Sequence, residues 1–384
     1  MKKYIVLGAG LMGRVAAKNL LETESDARVT LTDIDASNLQ EAAEFIAQER
    51  LTIRQFDVAD LDESVSNFSE HDVSICALPH RWSLPCIKAA IRAGISCVDM
   101  VGEAPGERQA LDREAKGSGT TIIPGFGVAP GLSNVCVGRG VELLDETIEA
   151  VIYVGGIPVE KTPPLDYQTV YCLESVFEAC LRPAVIFRGG KEIEVEALSG
   201  LEYVDFSEPI GRLEAFYTDG IASLSLTMKD KVADHLAEKT LRYPGFTGRM
   251  KFLRACGLLD SSPVRVGDAE VDPMDLLIQL LTPHLKLGPK GDLLVMRVVV
   301  KGLKNGDECT EVFELIDKFD PETRYTAMAR TTCFPAVIAA RMLANGSIAE
   351  RGVRFPEQIF TGDRYHRLMS ELEEQGIVIT HHKC

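Results

Sequence analysis

Along the first third of the chain, short continuous apolar runs alternate with stretches whose apolar residues recur at helical spacing. Residues 4–7 (YIVL) form an uninterrupted apolar run, the mark of a parallel strand covered on both faces. Val15, Ala16, Leu20 and Leu21 then fall on one helix face. The same rhythm predicts strands at 28–32, 52–56, 73–78, 96–100 and 120–124. Helices are predicted between them through Leu39–Ile46, from an Asp60 cap toward Phe68, from Ser83 to Ala93, and from near Pro105. Strands joined in this order by right-handed helical crossovers make a doubly wound parallel sheet of the Rossmann kind.

After Pro124 the pattern changes. PGFGVAPGL, 124–132, is dense in Gly and Pro and reads as a hinge or site loop, followed by a helix over 132–144. Alternating and apolar strand material then dominates: IEAVIYVGG, VIFRGGKEIEVE with a Gly-Gly turn, LEAFY, and LLVMRVVVKGLKNGDECTEVFELI with an Asn305-Gly306 turn. Two helices are expected near 245–258 and 273–285, and a last one over 334–346 ends at a Gly cap. The fold class is therefore α/β, with a second α+β domain built on a mainly antiparallel sheet. The expected division is 1–130, 131–333, and a helical 334–384 returning to the first domain.

Composition narrows the function class. The chain of 384 residues is too long for one core and carries a formal charge of −16. That balance argues against nucleic acid or an anionic membrane as partner, since both require basic patches. No run approaches about 18 apolar residues, so a cytoplasmic location is expected. None of the ten cysteines forms a Cys-x-x-Cys pair, and most sit in apolar periodic stretches. Reduced thiols are expected, with no metal site.

Gly8-Ala9-Gly10-Leu11-Met12-Gly13 matches the G-x-G-x-x-G pattern where it carries meaning, after a buried strand and before an amphipathic helix. Gly8 permits the tight turn, Gly10 lets backbone approach a pyrophosphate, and Gly13 lets helix and strand pack closely. Asp33 closes the second strand about 20 residues further on, where a carboxylate accepts from a ribose diol. It would repel a 2′-phosphate, and no arginine follows at 34–36, so the predicted cofactor is NAD. Asp35 is expected to be solvated. Asp57 and Val58 are placed to border the adenine, and Ala77, Leu78 and Pro79 the nicotinamide half.

Longer segments resemble the saccharopine dehydrogenase-like reductases, and within them the NAD-dependent lysine 6-dehydrogenases. The likeness rests on VLGAGLMG (6–13), VDMVGE (98–103), TIIPGFGVAPGLSN (121–134), YVGGIPV (153–159), LEAFYTDG (213–220), KTLRYPGF (239–246), TAMARTT (326–332) and RGVRFPEQI (351–359). It implies a Rossmann domain, an α+β domain with the amino-acid pocket and dimer contacts, and hydride removal from the ε-carbon of L-lysine. Pro79-His80-Arg81-Trp82 departs from the family's pattern.

The resemblance places Arg242 and Tyr243 at the substrate, with the guanidinium on its carboxylate. Asp99, at the C-terminal end of the fifth strand, is the expected group for holding or deprotonating the ε-ammonium, with Glu103 as a further candidate. His80 is a candidate base because imidazole titrates near neutrality. Gly127, Val128, Ala129 and Pro130 are expected to wall the cofactor from the substrate, and Tyr167 and Tyr171 to line the pocket. Two other readings stay open: a saccharopine- or carboxyspermidine-type reductase of a secondary amine, and an NAD-binding sensor without turnover.

Overall fold

The computed structural model describes residues 1–384, which divide into two compact units. The first comprises Met1–Glu142, Ala222–Met228 and Ala329–Val378; the second comprises Leu143–Ile221, Lys229–Met328 and Ile379–Cys384. Helix α7 thus belongs almost wholly to the first unit, so the chain leaves that unit a dozen residues past the Pro-Gly segment. No helix is long and apolar enough to cross a membrane.

In chain order the first elements are β1 (Lys2–Leu7), α1 (Leu11–Thr23), β2 (Ala27–Asp33), α2 (Ala36–Ile46), β3 (Leu51–Gln55), α3 (Leu61–Phe68), β4 (Val73–Cys76) and α4 (His80–Ala93). They continue with β5 (Ser96–Asp99), α5 (Pro105–Gln109), α6 (Asp112–Gly117), β6 (Thr121–Ile123) and α7 (Leu132–Leu143). The middle of the chain holds β7 (Glu146–Pro158), α8 (Leu173–Ala179), β8 (Ala184–Arg188), β9 (Lys191–Val195), β10 (Glu202–Asp205), β11 (Arg212–Tyr217), α9 (Leu224–Thr227) and β12 (Val232–Arg242). Then come α10 (Phe246–Ala255), β13 (Val264–Val266), β14 (Ala269–Val271), α11 (Pro273–Leu281), β15 (Asp292–Lys304) and β16 (Asp307–Lys318). The last are α12 (Ala327–Ala344), β17 (Gly352–Val353), α13 (Pro356–Ile359), α14 (Gly362–Glu374) and β18 (Ile379–Lys383).

The first sheet runs β17-β6-β5-β4-β1-β2-β3, all pairs parallel. The order reverses at β1, so ligands belong at the carboxyl ends of β1 and β4. Its central strands are fully buried, as the apolar runs demand: Tyr4 to Leu7 and Val73 to Cys76 have 0–1% exposure. A seventh strand, absent from the sequence reading, comes from residues 352–353, too short to give any periodic signal. Helix α4 starts at His80, earlier than Ser83, and carries Pro85 inside it.

The second unit carries a mixed sheet ordered β10-β11-β12-β7-β15-β16-β18, with β8 and β9 attached through β12. Most pairs are antiparallel, but β12 and β7 run parallel. Both expected hairpin turns form, with Gly189-Gly190 and Asn305-Gly306 all at positive φ, as type I′ turns require. Gly155 of β7 is fixed by a close approach: a Cβ there would collide with the Leu241 carbonyl on β12.

Helix α12 begins seven residues before the expected Phe334. Its start is set from a distance: the buried Asp292 carboxylate accepts from the Ala327 N–H at 2.8 Å and the Met328 N–H at 2.9 Å. Locally, Thr326 precedes the helix as a residue of capping type. Asp292→Ala removes the acceptor of both N–H groups and is expected to destabilise by about 1–3 kcal/mol. A fall in the thermal midpoint, smaller for Asp292→Asn, checks it; an unchanged midpoint removes Asp292 as the cap.

Candidate functional site

At the end of β1 the chain reverses at Gly8, whose φ of +95° suits glycine and whose N–H donates to the Thr32 carbonyl at 2.8 Å. The Ala77 carbonyl oxygen would lie 2.8 Å from a Cβ at this position, so the β1 and β4 ends are pressed together. A Cβ on Gly13 would collide with the Gly8 carbonyl oxygen, whereas nothing stands within 4 Å of one on Gly10. Helix α1 is capped by no side chain and has no acidic residue in its first turn. Its leading N–H groups and positive dipole end are therefore available to a phosphate approaching over Gly10.

Asp33 stands beside this turn. One of its oxygens accepts from the Ala9 N–H at 2.7 Å and the other from the Asp35 N–H at 2.9 Å. Both bonds orient a half-exposed carboxylate at the β2 end. Asp35 is not merely solvated: it caps α2 by accepting from the Ser37 N–H at 2.8 Å. Leu11 is exposed, while the Met12 carbonyl accepts from the Cys333 thiol at 3.2 Å. Ala77 and Leu78 are brought to the glycine turn, and Pro79 is the N-terminal residue of α4. Asp57 and Val58 sit past β3, where Asp57 accepts from the Ala59 N–H at 2.9 Å and Val58 packs on the core under α3 and α4. The turn, the open Gly10 and Asp33 together fit a dinucleotide.

His80 opens α4 with its ring 60% exposed, and its Nδ1 lies 3.6 Å from a Glu103 carboxylate oxygen. The two candidates are thus brought together at the carboxyl edge of the sheet. Asp99 is different. It is 0% exposed, accepts from the Ser83 hydroxyl and from the Val101 N–H, and faces the Arg108 guanidinium at 3.7 Å. Arg108 in turn donates to Ser83 Oγ at 2.6 Å and to the Glu103 carbonyl. Burial raises the Asp99 carboxyl to about 6 despite these donors. The expectation that Asp99 touches substrate gives way to a supporting place, since strand β5 ends beneath the surface that His80 and Glu103 occupy. The Gly127–Pro130 segment is a tight turn of the first unit, closed by the Gly127 N–H on the Pro130 carbonyl at 2.9 Å and packed on Gly102.

In the second unit Arg242 is 6% exposed. One of its Nη atoms donates to the Leu241 carbonyl at 2.8 Å, while its Nε has no hydrogen-bond partner. The guanidinium carbon lies 5.1 Å from the Tyr167 ring centre and 5.5 Å from that of Phe246. The Tyr167 hydroxyl, 1% exposed on a residue basis, also lacks a partner. Tyr171 packs against the same cluster, which includes Val170, Phe177 and Phe246. Tyr243 does not join them. Neighbouring strand residues point to opposite faces, and Tyr243 packs with Ile157 and Leu241, its hydroxyl on the Pro158 carbonyl at 2.9 Å. The structure thus places Tyr243 on the face opposite to Arg242.

Sequence reasoning missed Glu238, which shares the face of Arg242 with Thr240 between them. Glu238 is 3% exposed; Thr218 Oγ1 donates to it at 2.5 Å and Thr240 Oγ1 at 3.5 Å. Burial raises its carboxyl to about 8, against the lowering pull of those hydroxyls and of Arg242. Polar residues at every second position of an otherwise buried strand, Glu238-x-Thr240-x-Arg242, are the signal that was available. No group of three or more His, Cys, Asp or Glu side chains is arranged to hold a metal ion.

Comparison with known proteins gives two consecutive family matches. Residues 4–123 match the saccharopine dehydrogenase NADP binding domain and 127–377 the saccharopine dehydrogenase C-terminal domain. The mitochondrial alpha-aminoadipic semialdehyde synthase of Bos taurus is 22% identical over 99% of this chain, which spans only 47% of that protein. The saccharopine dehydrogenase [NADP(+), L-glutamate-forming] of Pyricularia oryzae is 22% identical over 97% of both chains. Apo saccharopine dehydrogenase (L-Glu forming) from Saccharomyces cerevisiae superposes with a TM-score of 0.82 at 20% identity, covering 100% of each chain; it shares the fold.

The buried Glu238 carboxyl predicts a pH dependence. Unfolding returns it from about 8 to its ordinary 4.5, so the folded state favours the protonated form. Its contribution is full below pH 4.5, declines as pH rises toward 8, and is lost above that. Glu238→Gln should leave the thermal midpoint unchanged near the low end and raise it progressively toward the high end, a gain in unfolding free energy on the order of a few kcal/mol. A midpoint difference independent of pH would show that burial does not suppress the charge.

Proposed function

The chain belongs to the saccharopine dehydrogenase family, and from that premise we propose that it is an NAD-dependent dehydrogenase oxidising the ε-carbon of L-lysine. The observation that carries the reading is the uncapped α1 N-terminus over the open Gly10, with the Asp33 carboxylate beside it. When bound, the nicotinamide ring accepts a hydride from the carbon bearing the amine.

The chain's own residues supply the rest. The first-turn N–H groups of α1 hold the phosphates, and Asp33 accepts from a ribose diol while opposing a 2′-phosphate. This favours NAD, although the Pyricularia oryzae relative is named for NADP(+). In the second unit Arg242 anchors the α-carboxylate, using the Nε that has no partner in the protein. The reacting amine must be neutral before hydride leaves, and His80 beside Glu103 takes up its proton. Loss of hydride leaves an iminium; water then displaces ammonia, and the resulting semialdehyde closes on the α-amine to give a piperideine carboxylate.

A second reading, oxidation of the secondary amine of saccharopine, rests on the activity printed for the fungal relative. It requires further carboxylate anchors. In the second unit Arg182, Arg212, Arg249, Arg254 and Arg297 are each paired with a carboxylate of the protein, and Arg188, Arg265 and Arg324 are exposed; Arg242 is the buried arginine without a carboxylate partner, which favours the simpler amino acid.

NADH formation with NAD and L-lysine, beside saccharopine, tests the reading; turnover of saccharopine alone would move the protein to the secondary-amine reaction. Asp33→Ser is expected to weaken NAD about tenfold more than NADP, and an unchanged preference would remove Asp33 from the ribose. Arg242→Lys should raise the KM for lysine about 10- to 100-fold, the loss of one charge-assisted bidentate contact, with NAD affinity unchanged. A KM unaffected by that change makes Arg242 structural.

A further inference from the structure

Strand β12 places a carboxyl group and a guanidinium on one buried face with no bond between them. Glu238, Thr240 and Arg242 alternate at the period of a strand, and Phe216 of β11 lies opposite Thr240 on the same face, with Thr218 just past the strand. The Glu238 carboxylate receives only the Thr218 and Thr240 hydroxyls. The hydrogen bond of Arg242 goes to a carbonyl, and its Nε and the Tyr167 hydroxyl beside it are unpartnered. Burying such groups is costly unless each finds a partner. The Gly220 backbone closes on one side of the carboxylate, where a Cβ would collide with Glu238 Oε2 at 2.5 Å.

We propose that Glu238 receives the α-ammonium of the amino-acid substrate, so that Arg242 and Glu238 form a site for the zwitterionic head of an L-α-amino acid. A zwitterion is the ligand that satisfies both groups at once, because its carboxylate and ammonium sit on a single carbon. The lysine ε-nitrogen lies four methylenes away and cannot reach an acceptor placed beside the carboxylate anchor. Thr218 and Thr240 hold the carboxylate in place, and the closed surroundings magnify its attraction for a cation. Glu238 is thereby a specificity-determining residue, selecting α-amino acids over simple amines and over ω-amino acids. The inference rests on the reading of Arg242 as the carboxylate anchor.

The test uses the full chain with NAD and two substrates sharing a carboxylate and a terminal amine: L-lysine, and 6-aminohexanoate, which lacks the α-amine. The wild-type protein should prefer lysine by about 10- to 100-fold in kcat/KM, the range of one charge-assisted bond. Glu238→Gln should raise the KM for lysine by a similar factor with kcat little changed, and leave 6-aminohexanoate unaffected. Glu238→Met, which removes the acceptor altogether, should lose the preference entirely. A preference that survives both substitutions overturns the proposal. Failure of the anchor is separately visible, because Arg242→Lys would then leave both substrates unchanged. If neither substrate turns over, thermal shift with L-norleucine and hexanoate decides: stabilisation by norleucine alone, lost in Glu238→Gln, sustains the proposal, and any other pattern overturns it.

Discussion

The contact between the start of α1 and the end of β1 governs the first unit. At Gly13 the helix presses its backbone onto the Gly8 carbonyl, a distance at which no side chain fits. That closeness aims the helix axis at the carboxyl edge of the sheet and leaves its first N–H groups with neither a capping side chain nor a neighbouring acid. The rest of the edge is arranged around this opening. Asp33 is steered by the Ala9 N–H of the same turn, and the Ala77 carbonyl closes on Gly8 from β4. Asp99, Ser83 and Arg108 form a buried support under the surface where His80 meets Glu103.

The second unit works by the opposite means. It encloses charge in a face otherwise made of aromatic and aliphatic side chains. Arg242 lies against the rings of Tyr167 and Phe246, and Glu238 lies among threonines. Glu214, on the same face, shows what a satisfied buried carboxylate looks like: it accepts from the Gly245 N–H, the Thr247 N–H and the Thr247 hydroxyl at the head of α10. Against that standard the spare valences of Arg242 and Glu238 stand out, and a ligand is the simplest way to fill them.

The elements legible in the sequence were those whose period or chemistry is local. The apolar runs of β1 and β4, the Asp60 cap, the Gly-rich turn and the two glycine hairpins each announce themselves within a few residues. What escaped was set by distant partners. The start of α12 depends on Asp292, some thirty-five residues away, and β17 is two residues recognised only by pairing with β6. The parallel register of β12 on β7 leaves no mark in either strand alone. Among site residues, the glycines and Asp33 were readable because backbone geometry dictates their type. The depth of Asp99, the facing of Tyr243 and the burial of Glu238 were not legible, because each is set by the elements that pack around it.

Residues 329–378, made after nearly all of the second unit, supply the edge strand β17 and the buried helix α12 to the first. On the ribosome, the Gly8–Gly13 turn therefore emerges early but waits for about 340 further residues before its sheet is complete. During that interval β6 offers an open edge, which invites pairing with a stray strand. Neither unit can be cut out as one contiguous fragment. A graft or truncation ending at Glu142 would retain every glycine of the fingerprint and still lack the segment that finishes the sheet.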